Sequence, residues 1–152
     1  MHFTNTTAPA IKRIALVAHD NMKPVLARWC KAHETILKDH QLWATGTTGS
    51  VIEHESELVT KRLLSGPMGG DQQIGAFIAE QKIDVLIFFW DPLASMPHDP
   101  DIKALLRIAA VWNIPVACNP ASADLLVSSP LLNKAYEYRI PDYSAYEQNR
   151  NA

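Results

Sequence analysis

Cysteine is nearly absent from this chain. Only Cys30 and Cys118 occur among its 152 residues, with no CxxC pair and too few for a disulfide framework. A reduced, cytoplasmic setting is the expectation. No run of 18 consecutive apolar residues occurs, so a transmembrane helix is not expected. The opening residues Met1-His2-Phe3-Thr4-Asn5 lack the basic region and apolar core of a secretory signal. Neither sign of charge dominates: the formal net charge is −2, the pI is near 6.3, and no basic or acidic run stands out. That argues against a nucleic-acid partner, which needs a basic face. Glycine is scarce as well. Of the six glycines, Gly66, Gly69 and Gly70 fall in one short stretch, Leu64 to Gln73, and Gly75 follows it.

The chain is 47% hydrophobic and shows no repeat, low-complexity segment or linker. That composition and length fit one domain spanning residues 1–152 with a full three-layer core. Short apolar runs rich in β-formers alternate with helical patterns. Arg13–Ala18 and Asp84–Trp90 read as strands buried on both faces of a parallel sheet. Leu42–Ala44, Lys61–Leu64 and Pro115–Cys118 complete five strands. Between them, Val25, Leu26, Trp29, Cys30, His33 and Leu37 recur at helical spacing after Pro24. Further helices are predicted over Ser50–Glu57, from near Asp71 through Ile74, Phe77 and Gln81, from Ile102 to Trp112, and over Ala121–Ser128. The segment after Ser128 is not assigned beyond Tyr136–Ile140 and a polar tail. This alternation predicts an α/β fold: a three-layer α/β/α domain with a five-stranded parallel sheet, Rossmann- or flavodoxin-like.

In such sheets ligands bind beyond the carboxyl ends of the strands. The polar clusters follow strands: His19-Asp20, Thr45 to Gly49, Ser65 to Asp71, Asp91 to Asp101, and Asn119. They should meet on one rim. Thr45-Gly46-Thr47-Thr48-Gly49 before a helix suits an anion, through free N–H groups and hydroxyls. It matches neither the P-loop nor the GxGxxG pattern, and a plain turn is the alternative. Ser65-Gly66 offers similar donors. Lys23 either supplies a positive charge to this rim or is a solvated lysine at a helix start. Asp71 either caps the helix that follows it or serves as a general base beside a phosphate pocket, and Asp101 carries the same ambiguity. A metal site from His19, Asp20, His98, Asp99 and Asp101 has suitable ligand types but no familiar metal spacing. Trp112, Tyr143 and Tyr146 read as exposed aromatics suited to subunit contacts.

With these loops side by side, the chain resembles the methylglyoxal synthase family from about Lys12 to Arg150. Five segments carry the resemblance: Ala15–Asp20, Ala44–Gly49, Leu64–Gly75, Ile83–Leu93 and Pro97–Asp101. It implies conversion of dihydroxyacetone phosphate to methylglyoxal and inorganic phosphate without metal or organic cofactor. Asp71 would be the proton-abstracting base. His19, Lys23, Thr45, Gly46, Thr47, Thr48, Ser65, Gly66 and His98 would contact substrate, with His98 also catalytic and Asp101 a helper beside it. The resemblance further implies a homohexamer inhibited allosterically by inorganic phosphate. At fold level it reaches the allosteric domain of carbamoyl phosphate synthetase, which leaves a non-catalytic phosphate-binding regulatory domain as the rival reading.

Overall fold

A computed structural model of the chain describes residues 1–95 and 99–151, leaving aside the side chain of Asp99. In chain order its elements are β1 (Phe3–Ala8), β2 (Arg13–Ala18), α1 (Lys23–Ala32), α2 (Glu34–Leu37), β3 (Gln41–Ala44), α3 (Gly46–Glu55) and β4 (Lys61–Arg62). There follow α4 (Gly70–Ala79), β5 (Val85–Phe89), α5 (Asp99–Val111), β6 (Val116–Ala117), α6 (Pro120–Val127), β7 (Tyr136–Pro141) and α7 (Tyr143–Arg150).

The two uninterrupted apolar runs form the centre of the sheet. β2 pairs with β5 in parallel from Ile14↔Val85 to Ala18↔Phe89, and the sheet order is β4-β3-β2-β5-β6. Taken in chain order, the strands of this sheet therefore lie 3-2-1-4-5, the Rossmann rather than the flavodoxin order. Alternate residues of each strand serve opposite layers, as the two-residue strand period demands. Ile14, Leu16 and Ala18 join Leu26, Cys30, Ile52 and Val127 in one core cluster, against α1, α3 and α6. Ala15 and Val17 join Ile74, Ile78, Ile102, Leu105 and Ala109 in the other, against α4 and α5. Both faces of the sheet are thus covered, which is why β2 and β5 are apolar without interruption.

The structure adds one unit that the sequence reading leaves unassigned. β1 and β7 pair antiparallel from Phe3↔Pro141 to Ala8↔Tyr136, a two-stranded ribbon apart from the main sheet. Its register is tied to the core by Lys12, which is 1% exposed. The Lys12 ammonium donates to the carbonyls of Pro9 and Lys134 and lies 5.2 Å from the Tyr136 ring centroid. Several boundaries also move. α3 starts at Gly46 rather than Ser50, β4 and β6 hold only two residues each, and the helix expected through Leu37 is broken between α1 and α2. Trp112 packs against the core cluster on the α4–α5 side, whereas Tyr143 and Tyr146 are exposed and stack on each other at 6.4 Å. Among the described residues, no helix is long and apolar enough to cross a membrane.

Candidate active site

Three strand ends and four helix starts converge on one cleft of about 420 Å³, bordering the point where the strand order reverses. From β2, the chain leaves the sheet at Ala18 and turns at His19. The His19 backbone N–H still donates to Phe89 O at 3.2 Å, and its carbonyl accepts from Met22 and Lys23 as the next turn begins. The ring is held edge-on to Phe88. Its Nδ1 accepts from the Asp91 backbone N–H at 3.1 Å. A backbone amide can only donate, so in neutral His19 the proton sits on Nε2.

Lys23 opens α1, with Pro24 in the first turn where its missing N–H costs nothing. Its ammonium donates to Asp20 Oδ1 and to Thr47 Oγ1, each at 2.6 Å. The Lys23 side chain is 17% exposed and that of Asp20 94%, so the cation is drawn into the cleft while its carboxylate partner stays in water. The Lys23 hydrogen bond and charge hold the Asp20 carboxyl below the usual aspartate range. Lys23 therefore belongs to the site and is not a freely solvated lysine.

Thr45 is the N-cap of α3. Because the helix starts at Gly46, the Thr-Gly cluster is a helix start rather than a loop before one. The first amides of a helix have no intrahelical acceptor and carry its positive dipole end, so those of Thr47 and Thr48 can serve an anion. Thr48 is buried, with its hydroxyl 3.2 Å from that of Thr45 and 3.5 Å from Ala18 O. Gly46 differs from its neighbours. Its N–H donates to Leu64 O at 3.3 Å, and it is not among the residues that line the cleft.

The glycine stretch is cross-braced rather than loose. Ser65 O accepts from both Met68 and Gly70, and Leu64 N–H donates to Gln73 Oε1 at 2.8 Å. Gly69 has φ +109°, a left-handed conformation that favours glycine, and it is the N-cap of α4. Gly70 is required for space: a Cβ there would lie 2.0 Å from Leu64 O. Asp71 is consequently not the cap. It stands in the first turn of α4, where a carboxylate is stabilised by the helix dipole. Its carboxylate lies over the bare Cα of Gly66. Asp101, in the first turn of α5, lines the same cleft and accepts from Gln72 Nε2 at 3.1 Å.

Of the residues singled out from sequence, the cleft brings together His19, Lys23, Thr45, Thr47, Thr48, Ser65, Gly66, Asp71 and Asp101. His98 lies outside the described residues. Among the described residues, no three His, Cys, Asp or Glu side chains group as a metal site. The sequence reading missed three supports. Asp20 pairs with Lys23 three residues on, a spacing visible in the sequence. Gln72 holds Asp101, and the Asp91 amide sets the His19 tautomer; nothing local signals either, because their partners are 29 and 72 residues away.

Chemically, the cleft holds a cation paired with Asp20, hydroxyls, helix-start amides and the two further carboxylates of Asp71 and Asp101. Such a set of groups can receive a small phosphorylated molecule. A family model described as MGS-like domain matches residues 26–118. The methylglyoxal synthase of Cellvibrio japonicus is 59% identical over 99% of this chain and 97% of its own. That of Photorhabdus laumondii is 59% identical over 99% of both. The crystal structure of methylglyoxal synthase from Elizabethkingia anophelis NUHP1 is 50% identical and superposes over 95% of each chain with a TM-score of 0.90. The chain belongs to the methylglyoxal synthase family of lyases.

Proposed function

We propose that the cleft converts dihydroxyacetone phosphate to methylglyoxal and inorganic phosphate, with Asp71 as the base. The observation that carries this reading is the Asp71 carboxylate over Gly66 in the same cleft as the Lys23–Thr47 pair. One site then holds a base for carbon and a cradle for phosphate.

Asp71 removes a proton from C3, the hydroxymethyl carbon next to the ketone, and the C–H electron pair forms the C2–C3 double bond of an enediolate. The 3-hydroxyl proton then passes to the departing phosphate as C3=O forms. The double bond shifts to C1–C2, and the C1–O bond breaks with its electron pair leaving on phosphate. Return of the proton held by Asp71 to C1 of the resulting enolate gives methylglyoxal and restores the carboxylate. A carboxylate is a weak base for carbon, so the charge growing on the C2 oxygen needs preorganised donors, worth about 3–4 kcal/mol each in such sites. His98 is the candidate donor to that oxygen, and His19, whose Nδ1 is taken by the Asp91 amide, offers Nε2–H as a second. General base catalysis contributes about 10²–10⁴-fold.

Phosphate loss rather than reprotonation requires the C1–O bond to stand nearly perpendicular to the enediolate plane. Lys23, Thr45, Thr47, Thr48, Ser65 and Gly66 hold the phosphate in that orientation in this reading, and Lys23 gains importance as the leaving group becomes a free anion. Gly46 supports this cradle from behind by fastening the Thr45 loop to Leu64. Asp101 helps beside the base. No step calls for a metal or organic cofactor. Inorganic phosphate, the product, competes for the same donors, and the homohexamer remains the assembly that the resemblance implies.

The purified chain given dihydroxyacetone phosphate should release methylglyoxal and inorganic phosphate in equal amounts. Phosphate binding with no methylglyoxal formed would instead make this a regulatory phosphate-binding domain.

A further inference from the structure

Gly66 bounds the approach to the Asp71 carboxylate. A Cβ built there would lie 3.7 Å from Oδ1, 3.8 Å from Oδ2 and 4.0 Å from Cγ of Asp71. These are ordinary van der Waals contacts, so a methyl group would rest on both oxygens without displacing them. A reacting carbon needs the same place: near-attack geometry puts it about 3–3.5 Å from the atom that takes its proton. Both residues line the cleft, so the empty volume opens to it.

The other reasons for glycine at this position are few. Gly69 is the glycine with positive φ, so left-handed backbone does not require glycine at 66. Nor does packing, in contrast to Gly70, where a Cβ would strike a backbone carbonyl. One backbone reason remains. Gly66 opens a short 3₁₀ turn immediately before Pro67, and a proline ring disfavours helical backbone in a preceding residue that carries a Cβ.

We propose that Gly66 is a positioning residue whose missing side chain is the space through which the substrate C–H reaches Asp71. The inference rests on Asp71 acting as the base. It separates two duties in one residue: the backbone serves phosphate, and the absent Cβ serves proton transfer.

The test is Gly66→Ala, measured for methylglyoxal formation and for affinity towards inorganic phosphate. Turnover should fall by about 100-fold or more, the cost of misplacing a reacting atom by about 1 Å. Phosphate affinity should stay within about threefold, the scatter of a neutral substitution. The proline effect is removed by comparing Gly66→Ala/Pro67→Ala with Pro67→Ala alone, where the same drop in turnover is expected. Turnover restored in that comparison assigns the defect to backbone strain and overturns the inference. So does a Gly66→Ala enzyme that turns over normally, or one that loses phosphate affinity in step with turnover. A wild-type chain that makes no methylglyoxal would end the reading of the whole site, whereas an active wild type beside an active Gly66→Ala ends only this inference.

Discussion

At the scale of single residues, the site separates charge by depth. Lys23 is largely withdrawn from water while its partner Asp20 is almost fully exposed, so the ammonium faces the cleft, bonded among the described residues to Asp20 and Thr47. A charge-assisted hydrogen bond of this kind contributes about 1.5–3 kcal/mol. Lys23→Met should therefore lower kcat/KM for the triose phosphate by about 10–100-fold, with KM rising. An unchanged KM in steady-state assays would reduce Lys23 to a partner of Asp20. Asp71→Asn tests the base. The amide keeps the shape but cannot take a proton, so turnover should drop by about 10²–10⁴-fold. Phosphate affinity in the same variant should hold or tighten, because a carboxylate has been removed from an anion site. Near-normal turnover would remove Asp71 from the role of base.

At the scale of elements, two glycines five residues apart have opposite meanings. Gly70 lets α4 start against the exit of β4, where a Cβ would meet Leu64 O at 2.0 Å. Gly75, a turn later in the same helix, has nothing within 4 Å of where its Cβ would be. Gly70→Ala should destabilise the fold by about 3 kcal/mol or more, since backbone must shift. Gly75→Ala should stabilise it by about 0.5–1 kcal/mol through helix propensity and a less flexible unfolded chain. Urea unfolding with an unchanged m-value measures both. Equal effects at the two positions would mean that the close packing of the Leu64–Gln73 segment does not govern stability.

At the scale of the whole molecule, several surface carboxylates hold hydrogen bonds that depend on the fold and set the response to acid. Glu53 is held below the usual glutamate range by the Thr60 N–H and hydroxyl, then by Arg62. Glu34 is lowered by the Glu57 N–H and by Lys31, and Asp20 by Lys23. Each binds a proton less readily in the folded chain than in the unfolded one. Their contribution is complete above the ordinary carboxylate values of about 3.9–4.3 and is lost as pH falls through the lowered folded values. The thermal midpoint should be level from neutral pH down to about pH 5 and fall below about pH 4. Glu53→Gln should make that fall shallower, and an identical slope would remove Glu53 from the acid response.

Most of the sheet and most of the cleft could be read from the residues in order, for a physical reason. A strand covered on both faces must be apolar throughout, so β2 and β5 declare themselves. Polar and glycine-rich residues directly after such strands can only gather at their carboxyl ends. The β1–β7 ribbon could not be read this way, because Phe3–Ala8 becomes a strand only when Tyr136–Pro141 lies beside it. The start of α3 at Gly46 was hidden too: Thr and Gly are poor helix formers, and a hydrogen bond to Leu64 together with burial of Thr48 overrides that preference. Residue order alone thus determined the layers, the rim and the types of group upon it. Tertiary structure alone decided how those groups are placed. Contacts between segments far apart in the chain pointed Lys23 into the cleft and set the His19 tautomer. The folding of Leu64–Gln73 on itself made Gly69 rather than Asp71 the cap and left the space over Gly66 empty before the carboxylate.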